Sequence, residues 1–217
     1  YAQGTISLGK FGLKAGLRYE QTHVDGDLEK GGTPFVNDYG NWIPTATVSY
    51  TRQGKGTYKI SYTQRIQRPG MTFLNPWVNQ SDSLNISYGN PELEPEVSHG
   101  FEFGINSFKK FGSINASVYH RFTDNSIESI RFIQNDNIYV TTYDNIGKNY
   151  TTGLSAGVNV MWKMKIFCGA NANLYYYKVK TIGYSQSLAN EGINYNFNLF
   201  GSYKFTDRWG IMAFGNF

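Results

Sequence analysis

Apolar and polar residues alternate one by one along most of this chain of 217 residues. The stretch 12–20 reads GLKAGLRYE, which places Leu, Ala, Leu and Tyr on one side of an extended strand and the other residues on the opposite side. The same split recurs at 41–50, 101–106, 154–162 and 193–203. Successive side chains of a β-strand point to opposite faces, so a period of two predicts strands. We count about ten such segments of roughly nine to twelve residues and no convincing helix, which predicts an all-β fold.

The connections between these segments alternate in length. Short turns follow every second strand, at 9–12, 52–56, 109–112, 163–165 and 204–208. Long connections follow the others, at 24–40, 66–97, 123–149 and 181–191. The connection at 123–149 contains its own hairpin pattern, so two strands are expected to project past the main sheet. Short turns at one end and long loops at the other are typical of an outer-membrane barrel, which predicts a transmembrane antiparallel up-and-down β-barrel.

Composition agrees with a barrel. Mean hydropathy is −0.43, and no run approaches the roughly eighteen apolar residues of a membrane helix. In a barrel strand only every second residue is apolar, so the average hydropathy is low. These values are therefore compatible with a membrane β-barrel. The short turns are rich in Lys and Arg and are expected to meet anionic headgroups. The single Cys168 excludes an internal disulfide framework. A soluble β-sandwich remains an alternative, although small polar residues along one whole face suit a hydrated lumen better.

The stretch from Asn75 to Glu96 interrupts the alternation. It contains Pro76, Pro91 and Pro95 and lies shortly after Pro69. Proline donates no ladder hydrogen bond, so these residues end strand pairing and stiffen the connection. Loops longer than about fifteen residues are usually functional in compact domains. We expect an ordered loop folded over the extracellular mouth, where it either contacts a ligand or partner or serves only as a brace.

Three stretches follow one another in a specific order: SYTQRIQRPGMTFLNPW at 61–77, YGNPELEPEVSHGFE at 88–102 and YDNIGKNYTTGLSAG at 143–157. They contain R-I-x-R-P, L-N-P and G-N-P-x-L-x-P-E, each placed between predicted strands. This order resembles the C-terminal barrel portion of TonB-dependent outer-membrane receptors, in the outer-membrane β-barrel family. The resemblance spans most of the chain.

The resemblance implies a barrel of about twenty-two strands, filled by a plug, that imports a scarce ligand such as a siderophore or glycan with energy from TonB. Residues 1–217 are then a single segment of that barrel, truncated at both ends, with the plug domain and signal peptide absent. The implied location is the gram-negative outer membrane. Implied partners are outer-membrane lipid and lipopolysaccharide, the TonB complex through the missing plug, and a possible surface lipoprotein. No cofactor, enzyme activity or nucleic-acid partner is expected.

Two groups of residues are candidates for contact with a ligand. The first lies in or beside the long loop and comprises Arg65, Arg68, Asn75, Trp77, Asp82, Asn90 and Glu92. Arginines beside aromatic rings can hold an anionic or sugar-like ligand, although they can equally bind lipopolysaccharide or pair with loop acids. The second occupies polar strand positions expected to line the lumen: Lys14, Arg18, Lys59, Asn106, Asn159 and Asn196.

Other chemistry finds little support in the sequence. Glu92, Glu94 and Glu96 lack the spacing of an EF-hand and favour a solvated surface over calcium. The three histidines show no metal-ligand spacing, and nucleophile-elbow, P-loop and dinucleotide motifs are absent. No catalytic residue or metal ligand is therefore predicted. A passive or structural outer-membrane barrel, acting as a channel or adhesion platform, remains the alternative function.

Overall fold

A computed structural model describes residues 1–26, 34–134, 137–182, 187–206 and 208–217. Within these residues the chain forms twelve strands and one short helix. In chain order they are β1 Ala2–Leu8, β2 Phe11–Gly26, β3 Phe35–Arg52, β4 Gly56–Gln67, α1 Met71–Leu74, β5 Asn79–Asp82, β6 Asn85–Ser87, β7 Glu96–Lys109, β8 Gly112–Gln134, β9 Ile138–Trp162, β10 Ile166–Ile182, β11 Ser187–Lys204 and β12 Gly210–Asn216. Across the same residues, no helix has the length and apolar character needed to cross a membrane.

Ten of the strands form one continuous antiparallel sheet in the order β1-β2-β3-β4-β7-β8-β9-β10-β11-β12. The other two, β5 and β6, pair with each other, and β6 also runs parallel to β9. Within the described ranges β1 and β12 do not pair, so they form the two edges of the sheet. The predicted up-and-down order of about ten antiparallel strands is confirmed. The ten strands of this sheet are 7 to 25 residues long, a wider spread than the alternation suggested.

Strand pairing sorts the side chains onto two faces that differ along the whole sheet. One cross-strand row is apolar on nine successive strands: Ile6, Leu13, Val48, Ile60, Phe103, Val118, Leu154, Leu174 and Tyr195. A neighbouring row on the opposite side is small or polar throughout: Ser7, Gly12, Ser49, Lys59, Gly104, Ser117, Ser155, Asn173 and Asn196. We call the sides that contain these rows the apolar face and the polar face.

No other part of the described chain covers the apolar face. Leu13, Ile60, Val118 and Leu154 are each 46–61% exposed. An exposed apolar surface of this extent is unusual on a soluble protein and marks contact with a partner or a membrane. Alternation of apolar and polar residues along long antiparallel strands is the pattern of a membrane barrel.

The long connections lie at the opposite end from the tight turns. β8 continues to Gln134 and β9 starts at Ile138, so the predicted hairpin that projects past the main sheet is confirmed. A register shift between Thr123 and Ser126 marks the level at which this hairpin leaves the sheet. The connections predicted at 24–40 and 181–191 are also largely strand, and their tips lie outside the described residues.

Pro44 marks the place where the sheet opens to admit the long loop. Pairing of β3 with β4 covers only Thr45–Arg52 and Gly56–Thr63, whereas β3 itself begins at Phe35. Proline has no backbone N–H to donate to a neighbouring strand, so the ladder stops there. Beyond this point β4 stays paired with β7, and the first ten residues of β3 keep β2 as their strand partner. The gap between β3 and β4 is where the loop after β4 enters.

Candidate functional site

Residues 68–95, which we call the inserted segment, connect β4 to β7 at the loop end of the sheet. The segment includes a single helical turn, α1, which the sequence did not predict. This turn is closed by hydrogen bonds from the Leu74 amide to the Gly70 carbonyl at 3.3 Å and from Asn75 to Met71 at 2.9 Å. The amides of Gly89 and Asn90 then bond back to the carbonyls of Asn75 and Phe73 at 2.8 and 2.6 Å. The segment is therefore ordered, as expected.

Apolar side chains fasten the inserted segment to the polar face. Leu74 and Leu93 are each 1% exposed and form a cluster with Phe35 of β3. Val24 of β2, together with Ile127 and Tyr143 of the projecting hairpin, packs against this cluster. Val24 lies six residues after Arg18 on β2, and Phe35 lies two residues before Asn37 on β3. Residues an even number apart on a strand share a face, so Val24 and Phe35 are on the polar face. The polar face thus becomes apolar at its loop end, and the inserted segment covers it.

Polar side chains of β2 and β3 bond to both ends of the inserted segment. The buried Asn37 donates from Nδ2 to the carbonyls of Pro91 and Leu93 at 2.6 and 2.8 Å. Near the other end, Arg68 pairs with Glu20 and donates from Nε to Oγ1 of Thr22 at 2.9 Å. The Arg68 guanidinium therefore braces the segment against β2.

The projecting hairpin holds the opposite side of the inserted segment. Asn145 accepts from the Glu94 amide at 2.8 Å and donates to the Glu94 carbonyl at 2.9 Å, in the manner of a strand pair. Asn90 donates to the Tyr143 carbonyl at 3.1 Å, and Oε1 of Glu96 accepts from the Ile127 amide at 2.8 Å. Parallel pairing of β6 with β9 adds to these bonds. The inserted segment is thus held by β2 and β3 on one side and by the projecting hairpin on the other.

Three of the predicted ligand-facing residues have largely exposed side chains. They are Arg65 on the polar face of β4, and Trp77 and Glu92 in the inserted segment. Trp77 is 52% exposed. The exposed side chains of these three residues are free to make contacts outside the chain.

The other four predicted residues use their polar atoms within the protein. Arg68 and Asn90 make the bonds described above. Asn75 accepts from the Trp77 amide at 2.9 Å. Asp82 accepts from the Leu84 amide at 2.9 Å and from Asn85 Nδ2 at 2.7 Å, and the Asn85 bond is the main reason that the Asp82 pKa lies below its ordinary value. Ligand contact by any of the seven stays a prediction.

The predicted lumen residues lie on the polar face. Pairing places Lys14, Arg18, Lys59, Asn106, Asn159 and Asn196 there, with Arg65 further along β4. Their chemistry divides between the two halves of the sheet. We call the β2–β8 half the charged wall, after its polar-face residues Lys14, Arg18, Glu20, Lys59, Arg65, Glu96, Glu102 and Arg121.

The polar face of β9–β12 is neutral along most of its length, with Lys204 at the turn end of β11 as a charged residue on it. Its positions in 149–161, 167–181, 190–202 and 212–216 hold no Lys, Arg, Asp or Glu. We call this half the amide wall, after Asn159, Asn171, Asn173, Asn194, Asn196, Asn198 and Asn216. Each amide offers both donors and acceptors, so this surface can hydrogen-bond with water or an uncharged polar ligand.

A tyrosine at the border of the two walls holds the amide wall in shape. Tyr119 of β8 is 7% exposed and lies across Gly153 of β9 to donate to Oδ1 of Asn173 at 3.0 Å. A Cβ at Gly153 would lie 2.5 Å from the Tyr119 hydroxyl oxygen, so the missing side chain makes this crossing possible. Arg121 stacks on the same ring at 4.6 Å from its centroid.

Metal chemistry finds no geometric support in the described part of the chain, where no three His, Cys, Asp or Glu side chains are grouped to hold an ion. The histidines have separate partners on the apolar face. His23 bonds to Asp38, His99 to the Tyr62 hydroxyl at 2.9 Å and His120 to Thr152 Oγ1 at 2.7 Å.

Sequence reasoning missed the residues that seat the inserted segment, namely Asn37, Leu74, Leu93 and Asn145. One signal was present in the sequence. Val24, Phe35 and Ile43 interrupt the polar side of their strands, and apolar residues at such positions indicate that something covers them. Asn37 and Asn145 carried no signal, because a strand asparagine looks the same whether it faces water or a distant carbonyl.

Comparison with solved structures shows a likeness of fold. The siderophore receptor PirA from Pseudomonas aeruginosa aligns over 95% of this chain and 45% of its own, with a TM-score of 0.54 and 15% identity. The iron transporter FrpB from Neisseria meningitidis, in its F3-3 variant, aligns over 93% and 37%, with a TM-score of 0.58 and 12% identity. The ferric enterobactin receptor PfeA of Pseudomonas aeruginosa, as its R480A mutant, aligns over 95% and 37%, with a TM-score of 0.60 and 14% identity.

This chain therefore spans less than half the length of the solved receptors and transporters it resembles. No curated protein matches its sequence. The family comparison matches residues 1–217 to the outer membrane protein beta-barrel family. Together with a sheet that has one apolar and one polar face, this match places the chain in the gram-negative outer membrane, as a member of the outer membrane protein beta-barrel family.

Proposed function

We propose that this chain is part of the barrel of an outer-membrane transport receptor, which imports a scarce ligand such as a siderophore or a glycan. Import takes place through a plugged barrel and is driven by TonB. The fold likeness to proteins named as siderophore receptors and as an iron transporter supports this reading. Within the described residues β1 and β12 each have one edge without a strand partner, which supports a larger barrel, because a sheet edge left open inside a membrane has unsatisfied backbone groups.

The observation on which the proposal depends most is the fixed position of the inserted segment over the loop end of the polar face. A surface loop with no role at the mouth needs no buried leucines and no hydrogen bonds to both β3 and the projecting hairpin. Here the segment is held by Asn37 on one side and Asn145 on the other. Its exposed Trp77 and Glu92, together with the exposed Arg65 of β4, form the proposed ligand-capturing surface. Aromatic and charged groups held on a rigid support favour binding, because little motion is lost when the ligand arrives.

The polar face is then the wall along which the ligand passes. Lys14, Arg18, Lys59, Asn106 and the two amides Asn159 and Asn196 line it. A plug domain would occupy the space in front of this face and transmit the pull of TonB. A surface lipoprotein could rest on the exposed apolar groups of the inserted segment, such as Trp77.

The test is uptake by intact cells. Cells with and without the gene are given a ferric siderophore or an oligosaccharide, and uptake is measured with and without an uncoupler of the proton gradient. We expect one ligand class to enter only when both gene and gradient are present. Gene-dependent uptake that persists with the uncoupler would show a passive channel instead, and equal uptake in both strains for every ligand would contradict transport.

Substitutions separate capture from folding. Trp77→Ala and Arg65→Gln are expected to raise the ligand concentration needed for half-maximal uptake while the barrel still runs as a heat-modifiable band. Leu84→Ala is a matched control, since Leu84 is also exposed on the inserted segment, at 54%. If the control weakens uptake as much as the two variants do, these residues do not form the capture surface.

A further inference from the structure

The loop-side border of the apolar face is rich in lysine on β9 and β10. From Ile166 to Leu174, every residue of β10 on the apolar face is Ile, Cys, Ala or Leu. This apolar stretch has the length of about nine residues that a tilted strand needs to cross a bilayer. The next three positions on that face are Tyr176, Lys178 and Lys180. The lysines therefore emerge where the bilayer core ends, at the level of lipid headgroups.

Strand pairing brings a third lysine into the same place. Lys180 stands directly opposite Lys148 of β9, and Lys178 stands opposite Tyr150. Like charges that face each other across two strands destabilise a sheet unless something neutralises them. Nearby carboxylates do so only in part: Lys178 pairs with Glu191, and Lys148 lies 3.3 Å from Asp124.

One positive charge is left over. Among the described residues Lys180 forms no ion pair, and its ammonium lies 5.9 Å from the centre of the Tyr150 ring. Three lysines against two carboxylates leave the cluster with an excess of one positive charge. The side chains of Lys148 and Lys178 are 43% and 33% exposed, so an anion can reach them.

Aromatic groups lie beneath the lysines. Tyr150 and Tyr176 occupy apolar-face positions one level closer to the bilayer core than Lys148 and Lys178, and the Tyr176 hydroxyl donates to Glu191 at 2.7 Å. Tyrosine at such a border has its ring in the acyl region and its hydroxyl among headgroups. Below it, Leu154 and Leu174 are 54% and 49% exposed and offer a surface to acyl chains.

We infer that Lys148, Lys178 and Lys180 form a binding site for the phosphate of an outer-leaflet lipid, whose acyl chains lie on the apolar face below. Lysine binds phosphate as a mobile point charge and needs no fixed fork geometry. The lipid supplies the negative charge that the opposed lysines lack, and it anchors the barrel wall at a set depth. This site is separate from the ligand path, since it lies on the opposite face of the sheet from Arg65 and the amide wall.

The experiment uses the protein extracted from outer membranes in detergent. Binding of lipid A, and of lipid A from which the phosphates have been removed, is measured for the native protein and for a Lys148→Gln, Lys180→Gln double variant. We expect the native protein to prefer the phosphorylated lipid and the double variant to bind it about tenfold or more weakly. A Lys148→Arg, Lys180→Arg variant should retain binding because it keeps both charges.

The matched control removes two lysines from the opposite rim. Lys163 and Lys165 lie in the tight turn between β9 and β10, so Lys163→Gln with Lys165→Gln changes net charge equally and should leave binding intact. The site is disproved if the Lys148→Gln, Lys180→Gln variant binds lipid A as tightly as the native protein does. The site is equally disproved if this variant and the Lys163→Gln, Lys165→Gln control lose lipid A affinity to the same extent. It is also disproved if the dephosphorylated lipid binds as tightly, or if inorganic phosphate protects the protein from heat as well as lipid A does.

Discussion

The two halves of the polar face obey the same alternation and yet have different chemistry. On the charged wall, Arg18 pairs with Glu20 at 2.6 Å, and Glu20 also holds Arg68 of the inserted segment. On the amide wall, Asn171, Asn198 and Asn216 form one cross-strand row without a charge among them. The charged wall thus continues into the loop-end part of β2 and β3 that holds the inserted segment. The polar face of 149–161 and of β10–β12, neutral apart from Lys204, has no second layer of described residues bonded to it.

This contrast shows that a polar strand position can serve two purposes. A charged or buried polar group fixes a neighbouring segment, because leaving it unpaired has a high free-energy cost. An exposed amide can exchange its partners with water at little cost and therefore suits a surface along which something passes. The comparison makes definite predictions, since equivalent substitutions on the two halves should have unequal effects.

The largest effect is expected from emptying the cluster beneath the inserted segment. Leu93→Ala removes a side chain that is 1% exposed, and such cavities cost about 2–5 kcal/mol. We expect faster protease cleavage within the inserted segment and faster amide exchange there, while β10–β12 keep their protection. Leu84→Ala, at an exposed site of the same segment, should change little. Equal cleavage of both variants would show that the cluster does not hold the segment.

A pair of asparagine substitutions compares the walls directly. Asn37→Ala leaves the carbonyls of Pro91 and Leu93 without their donor, which costs about 1–3 kcal/mol when the groups are buried. Asn194→Ala on the amide wall removes an exposed side chain with a long 3.5 Å contact to the Tyr175 hydroxyl and should shift stability by less than about 0.5 kcal/mol. Denaturant unfolding of each variant in detergent measures the difference. A larger loss at Asn194 would reverse the comparison.

Overpacking tests the bond from Tyr119 to Asn173 at the edge of the amide wall. Gly153→Ala puts a methyl group 2.5 Å from the Tyr119 hydroxyl and displaces its bond to Asn173. We expect a loss of about 1–3 kcal/mol, measured as a shift in unfolding midpoint. Gly4→Ala on β1 meets no atom within 4 Å and is the control. If both alanine variants unfold alike, Tyr119 adapts freely and the wall is not rigid there.

The smallest effect should come from the exposed brace. Arg68→Ala removes a pair with Glu20 in which the arginine side chain is 47% exposed, so its contribution is about 1 kcal/mol or less and weakens with salt. Amide exchange in the inserted segment should rise slightly at low salt and hardly at all at high salt. Arg52→Ala, at the end of β3 beside the tight turn at the other end of the sheet, should leave amide exchange in the inserted segment unchanged at low and at high salt. An effect that grows with added salt would argue against an ionic brace.

Prediction from sequence succeeded where a pattern repeats along one strand. The alternation around Leu13, Leu154 and Leu174 was enough to predict the strands and which residues lie on each of their two faces, because the side-chain period of a strand is two in any protein. It also placed Lys14 and Asn196 on the polar face. The projecting hairpin after Thr123 was readable for the same reason. Strand lengths were underestimated, because polar residues near the loop end hide the continuing ladder.

What the inserted segment touches was decided by tertiary structure alone. Its prolines indicated an ordered connection, but the bonds that fasten it through Asn37, Asn145 and Arg68 join residues 46 to 56 positions apart along the chain. The lysine cluster at Lys148 and Lys180 likewise exists only because two strands pair in one register. Alternation is a local property that each strand holds by itself, and so the sequence determined the two faces. Contacts across the sheet depend on register and loop path, which emerge only when all the strands are in place.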